Sequence, residues 1–267
     1  HGLFRVRCFT QDDAHIFMTW DQMEQEIQNV VRLFDEVYST FGLSYQIEVS
    51  TMPEDHIGEK ETWDMATDTL KRAIEHMGKT YVINEGDGAF YGPKLDIQYK
   101  NVYGKEDTLV TIQIDMLLAE RFGMYYIDEN GNKALPYIIH RTSLGCYERT
   151  LAYLIEEYAG ALPTWMAPEQ VRFLPITDRA ADYCAQQAAE LRKQGFRVEV
   201  DSRNEKVGKK IREATLEKIP FMLVVGDRDM ENGTVSVRTR KGEDLGAMTL
   251  EDFSAKLRQI VDEKQKI

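Results

Sequence analysis

Arg5, Arg7, Phe9, Gln11, Asp13 and His15 stand at every second position near the start of the chain. Alternate side chains of an extended strand share a face. The spacing therefore predicts one side carrying two guanidiniums, an aromatic plate, an amide, a carboxylate and an imidazole. Guanidiniums grip phosphate, a ring stacks on a base, and amide and carboxylate hold an amine. So polar a face is not an ordinary core. It is either a solvated edge strand or a ligand-binding wall, and the spacing alone leaves both open. A second set lies mid-chain, in His140-Arg141-Thr142-Ser143-Leu144-Gly145-Cys146-Tyr147-Glu148-Arg149. His15 and His140 each fall where a predicted strand ends, and strands meeting in one sheet would bring the imidazoles together. Paired imidazoles can ligate a metal, whereas separate ones are ordinary core or surface residues, and both readings stand.

The surrounding pattern supplies the elements that hold these residues. Thr19 and Gln22 form a capping-box start, and Ile27, Val30, Val31, Phe34, Val37, Tyr38 and Phe41 recur at helical spacing up to Gly42. Tyr45, Ile47, Val49 and Thr51 alternate as a strand that Pro53 ends. Ala66, Leu70, Ala73, Ile74 and Met77 line a second helix closed by Gly78. Leu95, Ile97 and Tyr99, then Ile112, Ile114 and Met116, alternate with polar neighbours as an antiparallel meander whose last strand ends at His140. Leu151, Leu154, Ile155 and Tyr158 mark an expected buried helix face ending at Gly160, which sets Arg149 in that helix's first turns. Pro163 and Pro168 bracket a linker. Beyond it, strands at 171–176, 196–200, 220–226 and 234–240 alternate with helices at 180–194, 206–217 and 249–264 as a separate α/β unit. The expected division is residues 1–167 and 168–267.

A chain of 267 residues with 43% hydrophobic content can bury a substantial core. No apolar run is long enough to span a membrane and no leader pattern opens the chain, so a cytoplasmic protein is expected. Cys8, Cys146 and Cys184 are odd in number and scattered, which argues for reduced thiols. The net charge of −12 opposes nucleic-acid binding only in part. Fourteen Lys and Arg face 27 Asp and Glu in residues 1–167, a balance of −13, whereas 19 face 18 in residues 168–267, a balance of +1. In that second part Arg203, Lys206, Lys209, Lys210 and Arg212 form either an RNA-binding cluster or a solvated helix end.

Long ordered strings narrow the choice. They are Arg-Val-Arg-x-Phe-Thr-Gln-Asp-Asp-Ala-His at 5–15, Gly-Ala-Phe-Tyr-Gly-Pro-Lys at 88–94, Thr-Ile-Gln-Ile-Asp at 111–115 and Ile-His-Arg at 139–141. Leu-Gly-Cys-Tyr-Glu-Arg at 144–149, Pro-Thr-Trp-Met-Ala-Pro at 163–168 and Arg-Asn-Glu-Lys-x-Gly-x-Lys-Ile-Arg at 203–212 continue them. With these strings nearly the whole chain resembles the class II aminoacyl-tRNA synthetases of threonine type. The resemblance implies an α/β (α+β) fold, an antiparallel class II sheet with flanking helices, followed by a small α/β anticodon-binding domain. It implies activation of threonine with ATP and magnesium, transfer to tRNA, and a homodimer for the complete enzyme.

The same resemblance assigns residues. Arg149 grips the triphosphate, Arg5 also contacts ATP, and Phe9 stacks on adenine. Gln11, Asp13, Tyr91 and Gln113 surround threonine, and Lys94 adds a phosphate or tRNA contact. His15 and His140, with a cysteine upstream of this sequence, hold zinc, whose open position selects threonine over valine. Asn204, Arg212, Asp229 and Arg238 match anticodon-reading positions. The chain departs from the pattern at Cys8 (family glycine), Met52 (arginine), Thr108-Leu109-Val110 (Gln-Cys-Gly) and Asp229 (glutamate). Val110 puts a branched side chain where a glycine would let the backbone approach a ligand or take a positive φ, so weaker or altered ATP binding is expected. A non-catalytic or specialised, inhibitor-tolerant paralogue is the alternative. The parts of the family fold upstream of this sequence lead us to expect the fragment to be inactive alone.

Overall fold

The computed structural model describes residues 2–266, and the chain divides into two compact units, His1–Leu154 and Ile155–Ile267. Elements of the first are β1 (Ala14–Met18), α1 (Met23–Phe41), β2 (Gln46–Ser50), α2 (Lys60–His76), β3 (Tyr81–Asn84), β4 (Lys94–Lys100) and β5 (Glu106–Asp115). They continue with α3 (Leu118–Arg121), β6 (Tyr126–Ile127), β7 (Lys133–Ala134), β8 (Tyr137–Arg141) and α4 (Tyr147–Glu157), whose last turn enters the second unit. Strand order in the main sheet is β1-β8-β5-β4-β2-β3, antiparallel except for the parallel β2–β3 pair.

One face of that sheet is the core. Ile47, Val49, Leu95, Ile97, Ile112, Ile114 and Ile139 are buried along with Val31, Phe34, Tyr38, Trp63, Leu70 and Ile74 of the two long helices. Burying each of these larger side chains contributes about 1.5–3 kcal/mol. The helical reading of α1 holds to its end, where Gly42 takes φ 73° and caps the helix. At its start Gln22 accepts from the Thr19 N–H at 3.0 Å. The strand expected over 5–15 is shorter than its alternation implied. Only Ala14–Met18 pairs as a strand, because β8 ends at Arg141 opposite Ala14 and leaves the earlier residues no ladder partner beyond the Gln11–Cys146 bridge.

The second unit contains β9 (Val171–Pro175), α5 (Ala181–Lys193), β10 (Val198–Val200), α6 (Val207–Leu216), β11 (Phe221–Val225), α7 (Asp227–Asn232), β12 (Thr234–Thr239), β13 (Asp244–Thr249) and α8 (Leu250–Asp262). Its sheet runs β10-β9-β11-β12-β13, parallel through the first three strands and antiparallel at the last two. Phe173, Leu191, Phe221, Leu223, Val237, Phe253 and Leu257 form its own core. β13 and α7 escape the sequence pattern: β13 alternates in burial only weakly along an edge, and α7 is six residues long. Cys184 lies fully inside this core, where burial pushes its thiol up to about 12, so the group is inert. Among the described residues no helix is long and apolar enough to cross a membrane.

Candidate functional site

Antiparallel register sets four of the expected residues in a single row across the sheet. His15 stands opposite His140, His140 opposite Gln113, and Gln113 opposite Lys94. Directly opposed residues project from the same face, so this row lies on the side away from the helices. The imidazoles of His15 and His140 meet edge to face with centroids 4.5 Å apart. Tyr91 stands 6.2 Å from the His140 ring and donates its hydroxyl to Gln113 Oε1 at 2.7 Å. Burial, and then the nearby Asp115 carboxylate, raise the Tyr91 hydroxyl, keeping it a neutral donor.

Asp115 is a site residue that the sequence reading missed. Its Oδ2 lies 2.8 Å from His140 Nε2, and its Oδ1 accepts from the N–H groups of Leu117 and Leu118, both at 2.8 Å. A nearly buried carboxylate anchored by two amides thus fixes one nitrogen of His140 and leaves Nδ1 for another partner. Period two could have found it, since Asp115 shares a strand face with Gln113. Lys94 sits in the row but is engaged, 2.7 Å from Asp87 and 2.9 Å from Asp96. Among the described residues Glu48, Asp87 and Asp96 also form the one three-carboxylate cluster with metal-ligand spacing. The Lys94 ammonium, within ion-pair distance of two of those carboxylates, already neutralises much of its charge.

Beside the row is a cleft of about 360 Å³ lined by Phe9, Gln11, Asp13, Gln113, His140 and Arg149. Arg5, Tyr91, Lys94 and His15 are not in its lining. Arg5 is exposed and donates to the Phe4 carbonyl. Arg141 and Arg149 also border the cleft, and the Nε atom of each is buried without a hydrogen-bond partner. Two unsatisfied buried guanidinium donors suit an anionic ligand. Arg141 was missed, although it stands in the Ile-His-Arg string.

At one edge of the cleft Asp12, outside the lining, ties down the 143–145 turn that carries the lining residue Gly145. The Asp12 carboxylate accepts from the N–H groups of Ser143 (2.7 Å), Leu144 (3.1 Å) and Gly145 (2.7 Å), and from the Ser143 hydroxyl. Burial alone would raise this carboxyl, but the bonds from the Ser143 side chain and the three amides outweigh it and hold the pKa below the usual range. Glu148 accepts from the Thr10 N–H at 3.0 Å, a second tie between the two segments. Gly145 takes φ 67°, and a Cβ there would come within 2.8 Å of the Leu109 carbonyl.

Thr108, Leu109 and Val110 line the same cleft. Val110 takes no left-handed φ. It pairs with Ile97 in β5 and is 3% exposed, beside a register shift that leaves Leu109 unpaired between Val110 and Thr108; the glycine that a close backbone approach demands here is Gly145. Thr108 donates to Gln98 Oε1 at 3.1 Å.

In the second unit Asn204 lies in the exposed loop before α6, Arg212 is exposed on α6, and Arg238 is on β12 opposite Met222. The Asp229 carboxylate accepts from the Gly226 N–H at 2.9 Å and the Ser236 hydroxyl at 3.0 Å, so it caps α7. Of the five cations at 203–212, read as an RNA-binding cluster or a solvated helix end, three are engaged, while Lys206 and Arg212 are exposed. Arg203 pairs with Asp201 (2.6 Å) and Glu213 (2.8 Å), Lys209 pairs with Glu205 (2.5 Å), and Lys210 is buried with its ammonium on the Pro175 and Asp201 carbonyls.

Comparison with known proteins agrees with this arrangement. Residues 1–158 match the model of the tRNA synthetase class II core domain (G, H, P, S and T), and residues 170–260 match the anticodon binding domain model. The chain is 52% identical over 265 residues to a threonine–tRNA ligase of Acetivibrio thermocellus and 49% identical over 264 to one of Clostridium botulinum. Each alignment covers 99% of this chain but 42% of the relative. The crystal structure of the RNA binding domain of threonyl-tRNA synthetase from Cryptosporidium parvum superposes with a TM-score of 0.91 at 36% identity, covering 97% of this chain and 66% of that one. A putative threonyl-tRNA synthetase from Aeropyrum pernix gives 0.82 at 28%, covering 100% and 67%. With a class II sheet, a cleft of anion-seeking guanidiniums and a core-domain match across more than half its length, the chain belongs to the class II tRNA synthetases of the G, H, P, S and T group.

Proposed function

We propose that this chain forms the catalytic core and anticodon-reading part of an enzyme that activates threonine with ATP and transfers it to tRNA. The observation that supports this most is the row of His15, His140 and Gln113, with Tyr91 on Gln113, beside a cleft edged by Arg149. In activation a threonine carboxylate oxygen attacks the α-phosphorus of ATP. A carboxyl–phosphate bond forms, the bond to the β-phosphate breaks, and pyrophosphate leaves with magnesium. Two anions must meet, so the chain's contribution is fixed positive charge and orientation. Arg149 and Arg141 supply buried donors, Arg5 a further cation, and Phe9 a stacking plate for adenine. Gln11, Asp13, Tyr91 and Gln113 hold the amine and side chain of threonine. Asn204, Arg212 and Arg238 read the anticodon, with Asp229 acting through the α7 cap.

The imidazole pair fits zinc, with its rings in contact and the Nε2 atom of His140 fixed by Asp115. Among the described residues no third His, Cys or carboxylate completes the set, so we assign the remaining protein ligand to the complete protein. When bound, zinc supplies an open position that accepts the threonine hydroxyl and gains nothing from the methyl of valine. Metal analysis of the full-length protein tests this: His15→Ala and His140→Ala are each expected to lower zinc content and threonine activation together. Undiminished zinc in either variant removes the ligand assignment. The complete protein is read as a cytoplasmic homodimer. Thr108, Leu109 and Val110 in the cleft lining favour a second reading, a specialised paralogue, which predicts threonine activation without charging of tRNA(Thr).

A further inference from the structure

The second unit holds a cavity of about 330 Å³ whose lining includes Lys218, Arg240, Lys241, Lys266, Tyr158 and Pro163, and no acidic side chain. Lys218, Lys241 and Lys266 are exposed, and none is in an ion pair among the described residues. The Arg240 guanidinium donates to the carbonyls of Leu162 (2.7 Å), Ala161 (2.9 Å) and Lys218 (3.2 Å), stapling two turns at the cavity wall. Four cations share this one cavity in a chain of net charge −12, with no carboxylate among its lining residues to offset them.

Helix ends explain part of that charge. Tyr158 follows α4, Lys218 follows α6 and Lys266 follows α8, and cations near C-termini offset the helix dipoles. At about half a negative charge per helix end, three ends leave roughly two and a half of the four positive charges uncompensated. Backbone conformation points the same way. The three non-glycine residues with left-handed φ among the described residues are Ala159 (47°), Lys218 (65°) and Lys264 (52°), one in each of the three turns that meet at this cavity. Glycine is the low-cost residue at such positions. Lysine at 218 keeps a cation at the wall in a conformation that its side chain disfavours.

We infer that this cavity is a binding site for a phosphoryl anion, carried by a nucleic-acid backbone or free in solution. Its members are apart from the residues assigned to threonine, ATP or anticodon recognition, so the site stands or falls independently of those assignments. Titration of the isotope-labelled full chain with inorganic phosphate tests it. Saturable shifts at the Lys218 and Lys241 amides are expected, absent with sodium chloride at matched ionic strength, and weakened about tenfold or more in Lys218→Glu/Lys241→Glu. Shifts that chloride reproduces, or that the double variant retains, overturn the site. Lys218→Gly guards against a misfolded double variant: it is expected to raise Tm by relieving the left-handed lysine while weakening phosphate binding. A higher Tm with undiminished phosphate binding overturns the role of Lys218. Bulk tRNA added to the phosphate-saturated protein distinguishes the carriers, since displacement of phosphate marks a nucleic-acid backbone and its retention marks free phosphate.

Discussion

Asp12 and Asp115 act through other residues, and both show why neighbours in sequence mislead. Asp13 faces the cleft, while Asp12, of opposite parity, turns to the 143–145 turn and accepts from three amides and a hydroxyl. Asp12→Ala strands those donors and is expected to lower stability by about 1–3 kcal/mol, read by chemical denaturation. The sign with pH follows from its depressed pKa. The stabilisation is complete above the ordinary Asp value and is lost as pH falls through the lower folded-state value, so the variant should have a flatter acid limb than the wild type. An unchanged acid limb contradicts the assignment. Arg149→Ala in the full-length protein should raise the KM for ATP by roughly 10-fold or more, with threonine KM little changed. Equal change in both would place Arg149 elsewhere. The meeting of His15 with His140 was legible from strand ends and parity, whereas Asp12 and Arg141, though they stand in the same strings, carry no feature of type or spacing that separates them from surface charge.

At the scale of elements, the strand alternation near the start was right in parity and wrong in extent. Gln11, Asp13, His15 and Phe17 are exposed and alternate with the less exposed Asp12, Ala14, Ile16 and Met18, yet the ladder covers only Ala14–Met18. Periodicity reports which way side chains point; pairing also requires a partner strand, which the local sequence cannot show. The same limit hid the glycine requirement. The sequence pattern drew attention to Val110, but the tight contact is between Gly145 and the Leu109 carbonyl, from residues 36 positions apart in the chain. Gly145→Ala combines a left-handed φ with a 2.8 Å approach to backbone. It should therefore destabilise by about 1–3 kcal/mol and displace the turn that Asp12 holds. Loss of Tm without loss of ATP binding in the full-length protein would show that the turn does not shape the cleft. Long helices such as α1 and α2 were legible throughout because a 3.6-residue stripe and a terminal glycine are both local.

Over the whole molecule, the change of element pattern beyond the Pro163–Pro168 linker anticipated two units, and each has its own core. The boundary between the two compact units falls at Leu154/Ile155, inside α4, whereas the Pro163–Pro168 linker suggested 167/168. A chain of residues 155–267 is expected to fold alone with a cooperative melt, measured by circular dichroism. A non-cooperative melt would mean that this core depends on the rest. The central claim concerns the first unit, and the most direct measurement is amino-acid-dependent exchange of pyrophosphate into ATP by the full-length protein, with zinc and magnesium present. Threonine should drive exchange and valine should drive it at least about a hundredfold less, because only threonine offers the metal a hydroxyl. No exchange with threonine, or equal exchange with valine, contradicts the account.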